Sequence, residues 1–336
     1  MTSLASAQLH RLQHSDPAGT TIAVVVPEWG ANVIGFSFQP AELRWPVPFL
    51  ETADIASVAA KPTSYGIPIL APTPGRVGRE RGGVFRYRGV EYRLAHEQHG
   101  FVRHLPWSVT GRTPSTIVCS VAIRPGESLG SFPFEFDCEQ RIELGQGRLD
   151  ARITFRSTSR RVQPISVGWH PYLHRQPTCR VHIPASQIWQ LDETEKPTPT
   201  GALLPVAGAN DFRDARVLGP DDHWDDTFTD LAHEGGVARC WVEDEPVLVG
   251  RDDEPVAAVV RRAIEVSPID GATCALPHIQ LYTPPGRAAI AVEPFSSPPN
   301  ALNLLAEGHP HAGVRELAPG AELAFHMALV LSVRHA

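Results

Sequence analysis

Lysine is nearly missing from this chain: Lys61 and Lys196 stand alone against 28 arginines. Usage this lopsided reflects compositional bias, so arginine richness by itself carries no functional weight. A basic excess is missing as well. The formal net charge is −7, whereas nucleic-acid-binding surfaces leave a positive footprint, so no nucleic-acid partner is expected. No stretch approaches the ~18 consecutive apolar residues of a membrane helix. Residues 1–20 carry His10, Arg11, His14 and Asp16 where a signal peptide would have its apolar run. A cytoplasmic protein without a membrane partner is the expectation. The five cysteines are widely spaced and form no C-x-x-C pair, which suggests neither a disulfide framework nor a zinc ribbon. Phosphate-binding loops, dinucleotide fingerprints and nucleophile elbows are lacking too.

Amphipathic helical patterns are equally scarce, and only residues 52–60 suggest one short helix. What fills the chain is short runs of Val, Ile, Phe, Tyr and Thr, punctuated by 27 glycines and 32 prolines. Such runs read as strands bounded by turns. Residues 21–26, 33–38 and 116–123 are clear examples. Strands 84–87 and 90–94 flank the hairpin dipeptide Arg88-Gly89, and 134–144 and 148–156 flank Gly145-Gln146-Gly147. Strands 279–283 and 288–292 flank Pro284-Pro285-Gly286. The last strand is expected at 321–333, and the Pro/Thr/Gly-rich stretch 193–209 reads as a long surface loop. An all-β fold follows, a large β-sandwich occupying 1–336 as one domain with its core at about 20–333.

Several polar residues stand out against these strands. Gly168-Trp169-His170-Pro171-Tyr172 follows an apolar run, so His170 ends a strand where proline forbids a continuing central ladder. Taken alone, the pattern favours a histidine packed between Trp169 and Tyr172 and satisfied locally. Glu293 closes the apolar run 288–292 before Pro294. It is either a solvated strand end, the commoner case, or a buried base with a raised pKa. His96, His99 and His104 lie close together, yet H-x-x-H without further ligands reads better as hydrogen-bonding histidines near a pocket than as a metal site. Arg76, Arg79, Arg81, Arg86, Arg88 and Arg93 are offset only by Glu80 and Glu91. That cluster is either an anion site or the solvent face of a hairpin. Asp225-Asp226-Thr227-Phe228-Thr229-Asp230 is a compact acidic run whose best functional reading is one aspartate bonded to a sugar hydroxyl.

The order of these motifs is more telling than any one of them. Gly66-Ile67-Pro68, Gly75-Arg76, His99-Gly100-Phe101-Val102-Arg103 and Pro106-Trp107 come first. His170-Pro171-Tyr172 and 225–231 follow, then Tyr282-Thr283-Pro284-Pro285, Val292-Glu293-Pro294 and Leu317-Ala318-Pro319-Gly320. The series resembles the aldose 1-epimerase (galactose mutarotase-like) family over about residues 20–333. The resemblance implies a β-supersandwich with a sugar cleft on one sheet, and an isomerase that interconverts anomers without metal or organic cofactor. It implies Glu293 as base at the anomeric hydroxyl, His170 as acid at the ring oxygen, and His99 as a supporting catalytic residue. Arg76 and Asp225 are implied as sugar-binding residues. Trp169 stands before His170 where Asn or Phe is common in the family, and Phe295 follows Pro294 where Gln is frequent. An aromatic wall of Trp169 and Phe295 would favour a less polar sugar. Two other readings stay open on the same fold: a hexose-6-phosphate mutarotase gripping phosphate with Arg76, Arg79 and Arg81, and a non-catalytic sugar-binding module. The chain would work as a monomer or homodimer on a small-molecule sugar.

Overall fold

A computed structural model describes residues 7–79, 81–126, 129–244, 247–251, 254–267 and 273–335. The expected all-β sandwich forms. A ten-stranded antiparallel sheet runs in the order Arg216–Leu218, Cys179–His182, Ala238–Asp244, Glu254–Val266, Glu322–His335, Arg148–Ser157, Phe136–Gly145, Thr116–Ile123 and Ser108–Arg112, with Val247–Arg251 paired to Glu254–Val266. An eight-stranded sheet runs Pro199–Pro205, Ala185–Leu191, Asp225–Leu231, His278–Tyr282, Ala289–Phe295, Gly168–Trp169 and Ile69–Leu70, with Tyr172–His174 beside Ala289–Phe295. A four-stranded N-terminal sheet adds His10–Asp16, Gly19–Val26, Asn32–Pro40 and Val47–Pro48. No helix among the described residues is long and apolar enough to cross a membrane.

Alternation along the strands decides what each sheet face touches. In Phe136–Gly145 the burial alternates residue by residue, so Phe136, Cys138, Gln140, Ile142 and Leu144 point inward while charged residues point out. In the eight-stranded sheet, Ile279, Leu281, Ile290 and Val292 join the same apolar cluster as Ile142, Leu149, Ile153 and Phe155 of the large sheet. Each such side chain contributes roughly 1.5–3 kcal/mol by leaving water. Yet His278–Tyr282 is buried at four of five positions and Ala289–Phe295 throughout, so the second face of this sheet is covered as well. That covered second face carries the polar side chains.

Local turn chemistry is as expected. Arg88 and Gly89 both take positive φ, 50° and 79°, the arrangement of a type I′ hairpin. Other expectations are corrected. The first helix is Ile55–Ala60, starting later than residue 52 because the Asp54 side chain caps it by accepting from Ser57 N at 2.9 Å. A second short helix, Ala301–Ala306, had no sequence signal. The stretch 193–209 is not all loop: Pro199–Pro205 forms the edge strand of the eight-stranded sheet, with prolines at its ends, where they spare the ladder. Nor does Pro294 stop its strand, which runs on to Phe295. The ladder on that side is broken between the pairs Tyr172↔Ala291 and Gly168↔Phe295, so a residue without an N–H is tolerated there. The five cysteines are all free.

Candidate active site

Three neighbouring strands build the floor of a cleft of about 360 Å³. Thr227, Gln280 and Glu293 stand opposite one another in register, and Asp225 stands opposite Tyr282 one row along. All five side chains line the cleft. Gln280 links the rows: its Nε2 donates to Asp225 Oδ1 at 2.7 Å, and its Oε1 accepts from the Thr227 hydroxyl. The amide is thereby oriented, and one oxygen of Asp225 is committed to it.

His170 enters from the broken side of the sheet. Its backbone N–H donates to Pro68 O at 3.0 Å, and Tyr172 N donates to Gly66 O at 3.0 Å. Pro171 between them ends one strand before Tyr172–His174 begins. This geometry sets His170 Nε2 3.2 Å from Glu293 Oε1, with both side chains almost wholly buried (5% and 2% exposed). The imidazole stacks on the Tyr172 ring at 4.1 Å and meets the His99 ring edge-on at 5.5 Å.

Trp169 is a correction. As the neighbour of His170 in an extended segment it must face the other way. It is buried in the interior, its indole N–H donating to Gln140 Oε1 of the large sheet at 3.2 Å. Its expected sugar contact, and half of the expected aromatic wall, therefore fall away. Phe295 does line the cleft, and its ring packs so tightly on Gly168 that a Cβ there would lie 2.4 Å from it.

His99 and Arg76 come from the opposite wall. His99 has φ 62°, rare for a non-glycine residue. Its backbone N–H donates to Gly75 O at 2.7 Å, and Gly75 N–H donates to His99 Nδ1 at 3.1 Å. With Nδ1 accepting, the neutral ring carries its proton on Nε2. The chain can pass only because Gly100 follows: a Cβ there would lie 2.0 Å from Ala71 O. Arg76 Nη1 meets Glu97 Oε1 at 2.7 Å, and Lys196 Nζ reaches the same oxygen at 3.1 Å. Glu195, Lys196 and Pro197 line the cleft.

Arg79 and Arg81 do not converge here. Arg79 is held by Asp192, Glu307 and the Pro199 carbonyl, and exposed Arg81 pairs with Glu91 at 3.1 Å. Of the three expected to grip phosphate, only Arg76 lines the cleft. His96 and His104 stack on each other at 4.0 Å and are not among its lining residues. Among the described residues, no three His, Cys, Asp or Glu side chains are grouped to hold a metal.

Burial governs the charges. Glu293 is pushed well above the usual carboxylate range by burial and by the Asp225 charge, with Arg103 opposing. His170 is lowered to about 3 by burial, then by Arg103. Asp225 is raised by burial against its hydrogen bond from Gln280. Both members of the Glu293–His170 pair are thus driven toward their neutral forms, facing each other across 3.2 Å. Gln280, Tyr172, Tyr282, Lys196 and Arg103 also line the cleft but were not singled out from sequence. The alternation of His278, Gln280 and Tyr282 through an otherwise apolar strand was the signal available.

His278 continues this row beyond the cleft, and its Nδ1 accepts from the Trp189 indole at 3.3 Å. Burial, and secondarily His311, lowers it to about 3. The unfolded chain binds a proton at this residue below about 6.5 and the folded protein does not, so stability is full above that pH and is lost on acidification. Between about pH 6 and 4 His278 should contribute a slope of roughly 1.4 kcal/mol per pH unit. Thermal melts of the wild type and His278→Gln across that interval test this: the variant should lose stability less steeply on acidification, and equal slopes would refute it.

A family model described as aldose 1-epimerase matches residues 13–330. The uncharacterized protein YihR of Escherichia coli (strain K12) is 25% identical over 320 residues, covering 88% of this chain and 91% of that protein. Among solved structures, the GalM/aldose epimerase homologue from C. elegans superposes with a TM-score of 0.73 at 15% identity, over 98% of this chain and 100% of its own. Galactose 1-epimerase from Lactobacillus acidophilus NCFM gives 0.67 at 15% identity, over 98% and 100%. At these identities the solved structures bear on the fold.

Proposed function

Because the chain belongs to the aldose 1-epimerase family, we propose that it interconverts the α and β anomers of an aldose by acid–base opening and reclosure of the ring. The observation that carries this reading is the buried Glu293–His170 contact at 3.2 Å on the floor of a polar cleft. Opening a cyclic hemiacetal requires one proton taken from the anomeric hydroxyl and one given to the ring oxygen. Moving the carboxyl proton of Glu293 to His170 turns the carboxyl into a base and the imidazole into an acid without changing the charge of the pair.

Glu293 then takes the proton from O1, the C1–O1 bond becomes a carbonyl, the C1–O5 bond breaks, and O5 takes the proton from His170. After rotation about C1–C2 the same steps run in reverse on the other carbonyl face. Protons balance within the pair, and no electron is gained or lost. His99, donating through Nε2, and Arg76 would hold sugar oxygens on one side. Asp225, with the oxygen not committed to Gln280, would accept from ring hydroxyls on the other. The dispersed Arg79 and Arg81 favour an unphosphorylated aldose.

Exchange NMR across a panel of free and phosphorylated aldoses tests the proposal. At least one free aldose should show anomer exchange well above its spontaneous rate. Sugar binding with no acceleration for any member would replace this reading with that of a binding module.

A further inference from the structure

Arg103 lines the cleft together with Glu293, His170, His99 and Tyr172, and its backbone is fixed from behind. It sits in the single turn Val102–His104, where Val102 N donates to Ala71 O at 3.3 Å and the Trp107 indole donates to Val102 O at 3.1 Å. Gly30, with φ 76°, presses so close that a Cβ there would lie 2.5 Å from Arg103 O.

The guanidinium, by contrast, has almost nothing to bond. Within the described residues its one hydrogen bond runs from Nη2 to Gln98 O at 3.4 Å, and buried Nε has no partner. Other cations around the cleft are paired: Arg76 and Lys196 with Glu97, Arg287 with Glu51. Arg103 is half-buried, and a guanidinium whose Nε is buried without a partner costs free energy unless a ligand supplies acceptors. Glu293 shows the complementary lack, for its buried Oε2 also has no partner. Arg103 shares the cleft lining with Glu293, His170 and His99, and its charge bears on all three.

One group satisfies both vacancies, a hydroxyl that accepts from the guanidinium and donates to the carboxylate. The geometry points to Arg103 as a catalytic residue that donates a hydrogen bond to the anomeric oxygen of the sugar while Glu293 removes the proton from that same oxygen. This rests on the mutarotase reading of the cleft and adds a role to it. As the O1–H proton moves to Glu293, negative charge gathers on O1 before the carbonyl is complete. A charged donor fixed there strengthens its bond most at that moment. Arg103 neither gains nor loses a proton, and O5 is still protonated by His170.

The test is steady-state mutarotation by wild type, Arg103→Met, Arg103→Lys and Glu293→Gln, on a neutral aldose and on the matching uronic acid, with thermal midpoints measured alongside. For Arg103→Met, kcat and kcat/KM should fall together by about 10²-fold with KM nearly unchanged. Arg103→Lys keeps the charge without the planar fork and should lose about tenfold, which keeps the inference testable if the methionine variant fails to fold. A lysine variant equal to wild type overturns it. So does a methionine variant whose defect is confined to thermal stability, or to KM for the uronic acid. If Glu293→Gln collapses while Arg103→Met keeps full kcat, this inference alone fails. An inert wild type overturns the mutarotase reading and this inference with it.

Discussion

Glu293→Gln should lower kcat for anomer interconversion by about 10³-fold while leaving KM within a few-fold, the pattern of a proton-transfer group lost from the transition state. Glutamine keeps the shape of the side chain and can still donate to His170 Nε2 across a contact that is 3.2 Å in the wild type. What it cannot do is accept the anomeric proton as a carboxylate does. His170→Asn should bring a similar fall, since the ring oxygen then lacks its acid. The double variant should be little worse than either single one, because two groups that pass one proton act as a unit.

Stability separates this chemistry from misfolding. Glu293 has its folded pKa raised by burial, so its contribution is full below the unfolded carboxyl pKa and is lost as pH rises through the folded value. Glutamine does not ionise. Glu293→Gln should therefore melt at least as high as wild type near neutral pH, and the margin should widen as pH rises. Near-normal exchange NMR rates in either single variant would remove the pair from the mechanism.

Much of this site was legible because its signals are local or ordered. Arg88-Gly89 states its turn in two residues, and the spacing of Gly75-Arg76, His99, His170, Asp225 and Glu293 resembles one family from end to end. Trp169 obeys a rule of extended chain. Adjacent residues of an extended segment cannot face the same cleft, so once His170 was placed there Trp169 belonged to the interior. Other features depend on partners far away in the chain. Lys196, a cleft residue, pairs with Glu97, 99 positions away. Asp225 is oriented by Gln280, 55 positions on, and Arg103 is notable for what it lacks in three dimensions. None of these leaves a mark on local composition. The proline at 294 misled for a related reason: whether a proline ends a strand depends on the neighbouring strand, which here is itself interrupted at Pro171.

Asp244→Ala should cost about 3–5 kcal/mol of folding stability, the largest structural effect expected of a single change away from the cleft. Asp244 and Arg262 are each 2% exposed and meet at 2.6 Å. Asp244 also accepts from Gln176 N at 3.2 Å, while Arg262 Nε donates to Pro48 O at 3.0 Å. The pair thus ties the strands Ala238–Asp244 and Glu254–Val266 of the large sheet to the N-terminal sheet. Burial already pulls the Arg262 pKa down against the support of Asp244. Alanine removes that support and strands a guanidinium in the interior, the costlier half of breaking a buried pair. A melting point lower by on the order of 4–7 °C follows for a chain of this size. Replacing both residues at once, Asp244→Leu with Arg262→Met, should recover most of that loss, because neither charge then needs solvation. If Asp244→Ala melts within about 1 °C of wild type, the pair contributes little. Since neither residue lines the cleft, kcat at a permissive temperature should stay near wild type, and a fall there matching Glu293→Gln would mean that the fold and the proton chemistry are coupled through this staple.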